Sequence, residues 1–292
     1  MDTICHPGDI EFYVANYIRD NKELFKNKVC IDSPAGQGVT SRVLHEVGAD
    51  VKAYDIFPEY FKFDKVNCEY ADLTKKIPLE DNSADIIICQ EGFEHICDQE
   101  AVFKEFNRVL KNNGRLFVTV PNYSNIKSRL SYLLFESECY GREMPCNEVD
   151  TIWHVSNNNC SGKIYYGHAF LSGVQKLRFL GKVCGFSIVD IIKTKLNKTS
   201  LYFFPLFFPF IYFVSLRTYL YAKRKGKESN KINYKSIYKE CFEMNINYKV
   251  LLCKNLFIEF RKIHTILDAK TEIAENKESS PWESVSNKQK LY

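Results

Sequence analysis

A histidine and two carboxylates lie close together in the chain, at Glu91, Glu94 and His95. Histidine is the side chain that most often takes a proton from a reacting hydroxyl near neutral pH. His95, with Glu94 beside it, is therefore a candidate catalytic base. A structural interpretation is equally open, because such groups also stabilise the start of a helix, and a helical pattern with Phe103 and Phe106 follows.

Acidic residues recur where the predicted β-strands end. Residues 29–122 contain five apolar strand patterns that alternate with helical ones, which favours parallel pairing of the strands. Asp32, Asp55, Asp72 and Glu91 lie at or just after strand ends. Ligands bind such sheets at the carboxyl ends of the strands, near the point where the strand order reverses. One cleft at that edge can therefore collect all four carboxylates.

A glycine loop connects the first strand to a helix. Residues 29–38 read VCIDSPAGQG, and a helical pattern opens near Thr40. Gly36 and Gly38 allow a sharp turn and the close approach of a ligand to the backbone. Taken alone, G-x-G also occurs in ordinary strand–helix loops. Asp55 supports a nucleotide-type site, because it ends a second strand about 20 residues further on, where such folds place a carboxylate for ribose hydroxyls.

Residues 29–122 resemble the class I S-adenosylmethionine-dependent methyltransferases, in the small-molecule, type 11-like branch. The matching segments are DSPAGQG, the acid Asp55, ADL at residues 71–73, ADIIICQEGFEHI and RVLKNNGRLFVTVPN. The resemblance continues more weakly to residue 193 and resumes near residues 254–262. It implies a Rossmann-like α/β fold, with a seven-stranded, mostly parallel sheet, helices on both faces and a hydrophobic insertion before the last strand.

The resemblance implies S-adenosylmethionine as the cofactor. The glycine loop would cradle its amino-acid part, and Asp55 would hold its ribose hydroxyls. The implied cofactor-binding residues are Asp32, Ala35, Gly36, Gly38, Asp55, Ile56, Asp72, Leu73, Gln90 and Glu91. Pro34 departs from the family, which has a glycine there, because proline has no N–H group to donate and cannot adopt a positive φ. We expect cofactor binding to survive this change.

The segment from Glu91 to His95 reads E-x-x-E-H. It resembles the metal-binding motif of the catechol O-methyltransferases of ubiquinone synthesis and of small-RNA 2′-O-methyltransferases. Those families add a later histidine, for which His168 in Tyr-Gly-His is the nearest match. The resemblance therefore implies a divalent ion such as magnesium, which would lower the pKa of a hydroxyl. Its ligands would be Glu91, Glu94, His95 and His168.

The composition narrows the class of protein. The 292 residues, 45% of them hydrophobic, suffice for one large α/β domain with an elaboration. The net charge of +4, without a long basic tract in the catalytic region, argues against nucleic acid as the main partner. The sequence has eleven cysteines, without a C-x-x-C pair, without zinc-ligand spacing and without a secretory signal. This pattern favours reduced thiols in the cytoplasm.

Residues 201–216, LYFFPLFFPFIYFVSL, form an uncharged aromatic run. As a helix this run spans about 24 Å, less than the roughly 30 Å of a bilayer core, and Pro205 and Pro209 are expected to kink it. The bases that follow, from Arg217 to Lys227, favour contact with an anionic membrane at its inner face. A buried loop, a dimer contact and a transmembrane span over residues 201–222 stay open as alternatives.

These patterns divide the chain into five parts. They are an N-terminal helix in residues 1–28, the methyltransferase domain in 29–195, the apolar insertion in 196–230, a linker helix and the last strand in 231–264, and a disordered polar tail in 265–292. The expected function is O-methylation of a hydroxyl on an amphipathic, membrane-associated acceptor such as a lipid-linked or envelope glycan. The alternatives are a metal-dependent O-methyltransferase of a quinone precursor, and a non-catalytic membrane scaffold that retains the fold.

Overall fold

The computed structural model of the chain describes residue 6, residues 8–136, residue 168, and residues 170–228 and 234–275. Seven strands form one sheet within these residues. They are β1 (Val29–Asp32), β2 (Asp50–Asp55), β3 (Cys68–Tyr70), β4 (Ala84–Gln90), β5 (Leu110–Pro121), β6 (Phe186–Ile191) and β7 (Asn255–Lys262). Their order is β3-β2-β1-β4-β5-β7-β6, and β7 runs antiparallel to both of its neighbours. The predicted seven-stranded, mostly parallel sheet is thus confirmed.

Helices cover both faces of the sheet. They are α1 (Ile10–Asp20), α2 (Lys22–Phe25), α3 (Val39–Glu46), α4 (Gln99–Val109), α5 (Ile126–Phe135), α6 (Val174–Val183), α7 (Lys198–Glu228), α8 (Tyr234–Ile246), α9 (Tyr248–Leu252) and α10 (Ile266–Glu275). Apolar residues of α1 and α3 pack with Ile86 and Phe117 on one face. Residues of α4 and α6 pack with Ile87 and Leu116 on the other. Alternate residues of the central strands therefore contribute to two separate hydrophobic cores, one on each face of the sheet.

The register brings the carboxyl ends of the central strands together. Asp32, the last residue of β1, pairs with Ala53 of β2 and with Ile88 of β4. Gln90, the last residue of β4, pairs with Thr119 of β5. The strand order reverses between β1 and β4, so their carboxyl ends flank the crevice where sheets of this type bind ligands.

The apolar insertion forms one long helix, α7, whose 31 residues extend it to about 46 Å. It is longer than the predicted apolar run and continues through Pro205 and Pro209. Both prolines are exposed, so the carbonyl groups that lose a helical N–H partner lie at the surface.

Two segments differ from the sequence-based expectation. The apolar pattern of residues 249–262 predicts that they form the last strand, but Tyr248–Leu252 form the short helix α9, which Asn247 caps by accepting a hydrogen bond from the Lys249 N–H. The tail was expected to be disordered from residue 265, yet Ile266–Glu275 form α10. Thr265 accepts a hydrogen bond from the Asp268 N–H, and Ala269 is buried. A capped first turn and one buried contact thus order a helix that composition alone did not indicate.

Candidate functional site

The glycine loop after β1 is fixed from both sides. The Ser33 N–H donates to the Ile88 carbonyl and the Ala35 N–H to the Tyr54 carbonyl, and the Ser33–Pro34 peptide bond is cis. Gly36 and Gly38 have φ values of 51° and 84°.

The two glycines of the loop face different surroundings. A Cβ atom at Gly38 would lie 2.8 Å from the Phe61 ring, whereas one at Gly36 would meet no atom within 4 Å. Gly38 is therefore needed for packing, and Gly36 borders open space in the cleft.

Asp32 and Ser33 leave buried polar atoms in this loop. The Ser41 hydroxyl donates to Oδ2 of Asp32 at 2.6 Å. Asp32 Oδ1 and the Ser33 hydroxyl have no hydrogen-bond partner among the described residues. Burial raises the pKa of Asp32 to about 7. Unpaired buried polar atoms are costly, and the loop is therefore suited to a polar or cationic ligand group.

Asp55 ends β2 beside the same loop. Its carboxylate accepts the Gly36 N–H and the Phe57 N–H, each at 2.8 Å. The side chain that was predicted to hold ribose thus also shapes the glycine loop. Each carboxylate oxygen retains a further acceptor position, and the ribose contact stays a prediction.

The other predicted cofactor residues line the same edge of the sheet. Ala35 and Leu73 are buried, and Ile56 is half-buried directly after Asp55. Asp72 accepts hydrogen bonds from the N–H and the hydroxyl of Thr74. These bonds fix the turn that follows β3. The adenine contacts of Ile56, Asp72 and Leu73 stay a prediction.

Gln90 ends β4, and Glu91 follows it directly. The Thr40 hydroxyl donates to Gln90 Oε1 at 3.0 Å, which connects β4 to α3. Glu91 has a φ of 48°, an uncommon value for a residue with a side chain. Its carboxylate accepts hydrogen bonds from Thr119 at 3.2 Å and from Asn255 at 3.4 Å, and burial raises its pKa to about 7. The role of Asn255 was not predicted, because the sequence shows an amide at the start of an apolar strand but not the residue that it pairs with.

Glu94, His95 and His168 come together after β4. One ligand atom from each lies within 4.8 Å of the others, and the two imidazole rings are 5.1 Å apart. The described residues provide no partner for either carboxylate oxygen of Glu94. Burial, together with the charge of Glu91, raises its pKa well above the usual value. This donor set fits a divalent cation, and Glu91, which was also predicted as a ligand, is not part of the group.

The position of His95 differs from the expectation. It was predicted to begin the helix after β4, but it ends a short 3₁₀ turn, Phe93–His95. The helix α4 begins later and is capped by Asp98, which accepts a hydrogen bond from the Ala101 N–H. The capping interpretation of Glu94 and His95 is therefore wrong for α4. Tyr166 and Gly167, the other residues of the predicted Tyr-Gly-His motif, lie outside the described residues.

Gln99 holds this group in place, a role that sequence analysis missed. It is buried, and its amide N–H groups donate to the carbonyls of Phe93 and Phe170 at 2.8 and 2.7 Å. The Ser172 hydroxyl donates to Gln99 Oε1. The Phe170 N–H in turn donates to the Glu94 carbonyl. Nothing in the sequence pattern distinguishes this glutamine, because its partners lie some seventy residues apart in the chain.

Comparison with known proteins agrees with this geometry. Residues 31–118 match the sequence family described as "Methyltransferase domain". An uncharacterized methyltransferase-like protein of Schizosaccharomyces pombe is 33% identical over 109 residues, which cover 35% of this chain and 42% of that protein. A ubiquinone biosynthesis O-methyltransferase of Aliivibrio fischeri is 27% identical over 124 residues, which cover 39% of this chain and 53% of that protein. The chain thus spans about half the length of these curated relatives.

The solved structure of a SAM-dependent methyltransferase from Archaeoglobus fulgidus aligns with a TM-score of 0.50 at 14% identity, over 86% of this chain and 94% of that one. This likeness shows the fold alone. Together, the strand order and the sequence relatives define a class I methyltransferase fold. Residues 31–118 are similar to a methyltransferase domain, and the family match covers this part of the chain alone.

Proposed function

We propose that this protein transfers a methyl group from S-adenosylmethionine to a hydroxyl of an amphipathic acceptor. One observation carries the proposal. Asp32 and Asp55 end β1 and β2, the glycine loop follows β1, and Glu94 and His95 follow β4, so these groups lie at the same edge of the sheet. His168 lies beside Glu94 and His95. This arrangement supports a cofactor site with a proton acceptor next to it.

The loop residues fit the cofactor. When bound, S-adenosylmethionine supplies a methyl group that its sulfonium already activates. Gly36 borders the space for the ligand, and the unpaired Oδ1 of Asp32 offers an anionic acceptor to a cationic group. Asp55 offers its remaining acceptor positions to hydroxyls. The chain therefore has mainly to bind and align the acceptor, which is catalysis by proximity.

His95 is the proposed base. Its imidazole is half-buried at the site, beside the buried carboxyl of Glu94. In this position it would take the proton of the acceptor hydroxyl as the oxygen is methylated.

A metal-dependent O-methyltransferase of a quinone precursor is the second candidate. The unpaired carboxylate of Glu94, within reach of two imidazoles, favours it. These three residues would hold the ion, which would lower the pKa of an acceptor hydroxyl. Calorimetric titration with Mg²⁺ or Mn²⁺ tests this directly, with His168→Ala as the variant expected to lose binding and the exposed His45→Ala as its control. Unchanged binding in His168→Ala would remove this site from the mechanism.

The amphipathic acceptor is inferred from the surroundings of the cleft. Helix α5 follows β5, and its exposed end carries Leu133, Leu134 and Phe135. Helix α7 packs against α5 and exposes further aromatic residues. A lipid-linked or envelope glycan is our first choice. Comparison of lipid and glycan extracts from a deletion strain, in a search for a missing methyl increment, would identify the acceptor.

The first experiment is calorimetric titration of the full chain with S-adenosylmethionine. Asp55→Asn should weaken binding by about 2–4 kcal/mol, because it replaces a charged acceptor. Asp50→Asn is the matched control, since Asp50 begins the same strand at its exposed end and pairs only with Lys52 among the described ion pairs. A wild-type chain without measurable binding would favour the scaffold alternative over an enzyme.

A further inference from the structure

One face of α7 exposes large apolar side chains. Tyr202 is 80% exposed, Leu206 58%, and Phe210 and Phe213 66% each. These positions recur every three or four residues, so they form a single stripe along the helix. A contiguous exposed patch of this kind marks an interaction surface in a protein that is otherwise well packed.

The opposite face of α7 is already covered by the protein. Phe203, Phe204, Phe207, Phe208 and Ile211 pack against the cluster of Ile126, Leu251 and Leu252 from α5 and α9. Further along, Ser215 and Ala222 are buried. The helix is thus attached to the domain along most of its length, and one side alone is available to a partner.

Helix α8 lies beside the second half of α7. The Phe242 ring contacts Tyr212 and Tyr219, each at 5.8 Å, and the Asn245 amide donates to the Ser215 hydroxyl at 2.5 Å. Arg129 of α5 donates to Asn245, and Arg178 of α6 pairs with Glu240. These bonds fasten α8 to the domain.

The charged residues of α8 affect whether α7 can cross a bilayer or only lie on its surface. Lys239 and Glu243 are exposed on α8 and pair with each other. By length and composition, Lys198–Arg224 could cross a membrane. A crossing would carry α8 and its charges into the hydrocarbon, at a cost of about 2.5 kcal/mol or more for each charge.

Basic residues border the apolar stripe at both ends. Arg217 and Arg224 are exposed and fall on the same helical face as Phe210 and Phe213. Lys198 is exposed at the start of the helix. An apolar stripe with bases at its ends matches the layered chemistry of an anionic bilayer surface, which presents phosphates above acyl chains.

We propose that α7 lies in the plane of an anionic membrane surface and does not cross it. The stripe of Tyr202, Leu206, Phe210 and Phe213 enters the boundary of the acyl chains, while Arg217 and Arg224 contact lipid phosphates. The inference concerns the membrane part of the proposed function and does not depend on methyl transfer.

Sedimentation with vesicles tests the surface. The full chain should sediment with vesicles of phosphatidylcholine mixed with phosphatidylglycerol, and less with pure phosphatidylcholine. Phe210→Ser combined with Phe213→Ser should lower the partition coefficient about tenfold or more, since apolar burial drives insertion. Phe179→Ser is the matched control, because Phe179 is 59% exposed on α6 and lies away from the stripe. Arg217→Glu combined with Arg224→Glu should remove the preference for phosphatidylglycerol.

Protease added outside sealed vesicles separates a surface helix from a spanning one. A helix that lies on the surface leaves the segments on both sides of it open to cleavage, whereas protection of one side would show a crossing and overturn the proposal. Failure to sediment with any vesicle would also overturn it, and gel filtration would then show whether a second copy covers the stripe. Binding of S-adenosylmethionine, measured without vesicles, should be equal in all of these variants. If the wild-type protein does not bind S-adenosylmethionine, the methyltransferase proposal is wrong, but the membrane inference is unaffected.

Discussion

At the residue scale, the two glycines of the loop separate ligand binding from folding. A Cβ atom at Gly36 enters open space, whereas one at Gly38 meets the Phe61 ring. Gly36→Ala should cost only about 1 kcal/mol of folding free energy for its positive φ, yet weaken binding of S-adenosylmethionine at least tenfold. Gly38→Ala should lower the free energy of unfolding more, because a rigid ring must move. Urea denaturation and calorimetry measure the two effects, and equal binding by Gly36→Ala and wild type would contradict the placement of the cofactor.

A second prediction at this scale concerns His95. His95→Ala should lower methyl transfer about a hundredfold while binding of S-adenosylmethionine stays nearly unchanged, since a base acts on the acceptor. The control is His45→Ala, an exposed histidine on α3 that packs on Phe63. Turnover numbers and cofactor dissociation constants measured side by side decide the matter. If His95→Ala turns over as fast as His45→Ala, His95 has no catalytic role.

The sequence predicted which residues end the strands, but not all of their partners. Asp32, Gly36, Gly38 and Asp55 were recognisable because strand, loop and helix signals are local. The hydrogen bonds that Asp55 accepts from the N–H groups of Gly36 and Phe57 could not be predicted, because they depend on how the loop folds back. Asn255 reaches Glu91 across a distance of 164 positions in the chain, and no local pattern carries such a pairing.

At the element scale, the 3₁₀ turn Phe93–His95 owes its position to one buried side chain. Gln99 binds the carbonyls of Phe93 and Phe170, and Ser172 binds Gln99. Each carbonyl left unpaired in the interior costs about 1–3 kcal/mol. Gln99→Met, which keeps the volume of the side chain, should therefore lower the free energy of unfolding by about 2–4 kcal/mol. It should also lower methyl transfer by separating His95 from His168.

Gln175 provides the control for this prediction. Among the described residues its amide makes one hydrogen bond, to the Cys241 carbonyl, so Gln175→Met should cost about half as much or less. Urea denaturation of both variants gives the comparison, and calorimetry with S-adenosylmethionine reports on the cofactor loop. Equal stability losses in the two variants would show that Gln99 does not anchor the turn.

The elements themselves were largely predictable. Apolar strand patterns and helical patterns located the first five strands and α4, and the family resemblance implied a seven-stranded, mostly parallel sheet, which the structure shows. The sequence shows the uncharged run of residues 201–216, but it does not show that one side of this helix is covered by the protein while the other is exposed. Aromatic residues fill both faces of α7, and only contacts with α5, α8 and α9 decide which face is covered.

At the scale of the whole molecule, the acidic edge of the sheet couples folding and binding to pH. Burial raises the pKa of Asp32 to about 7 in the folded protein, whereas an unfolded chain gives a value of about 3.9. The groups that face it are Asp55 of β2, Cys68 of β3 and Cys89 of β4. Between the two pKa values, the folded state therefore holds a proton that the unfolded state has lost.

This difference in bound protons makes the free energy of unfolding fall as the pH rises. Between the two pKa values of Asp32 the folded state binds more protons than the unfolded state. The contribution of Asp32 to the free energy of unfolding is therefore complete below about pH 4. It is lost as the pH rises toward about 7, by at most about 1.4 kcal/mol for each pH unit. Denaturation of the cofactor-free protein should show this fall, and Asp32→Asn, whose amide oxygen can still accept from Ser41, should make it smaller. The rest of the fall comes from Glu91 and Glu94, because burial raises their pKa values as well. A cationic cofactor favours the ionised carboxylate, so binding of S-adenosylmethionine should release protons below about pH 7. Calorimetry in buffers of different ionisation enthalpy measures that release, and a release of the same size in Asp32→Asn would assign the proton to another group.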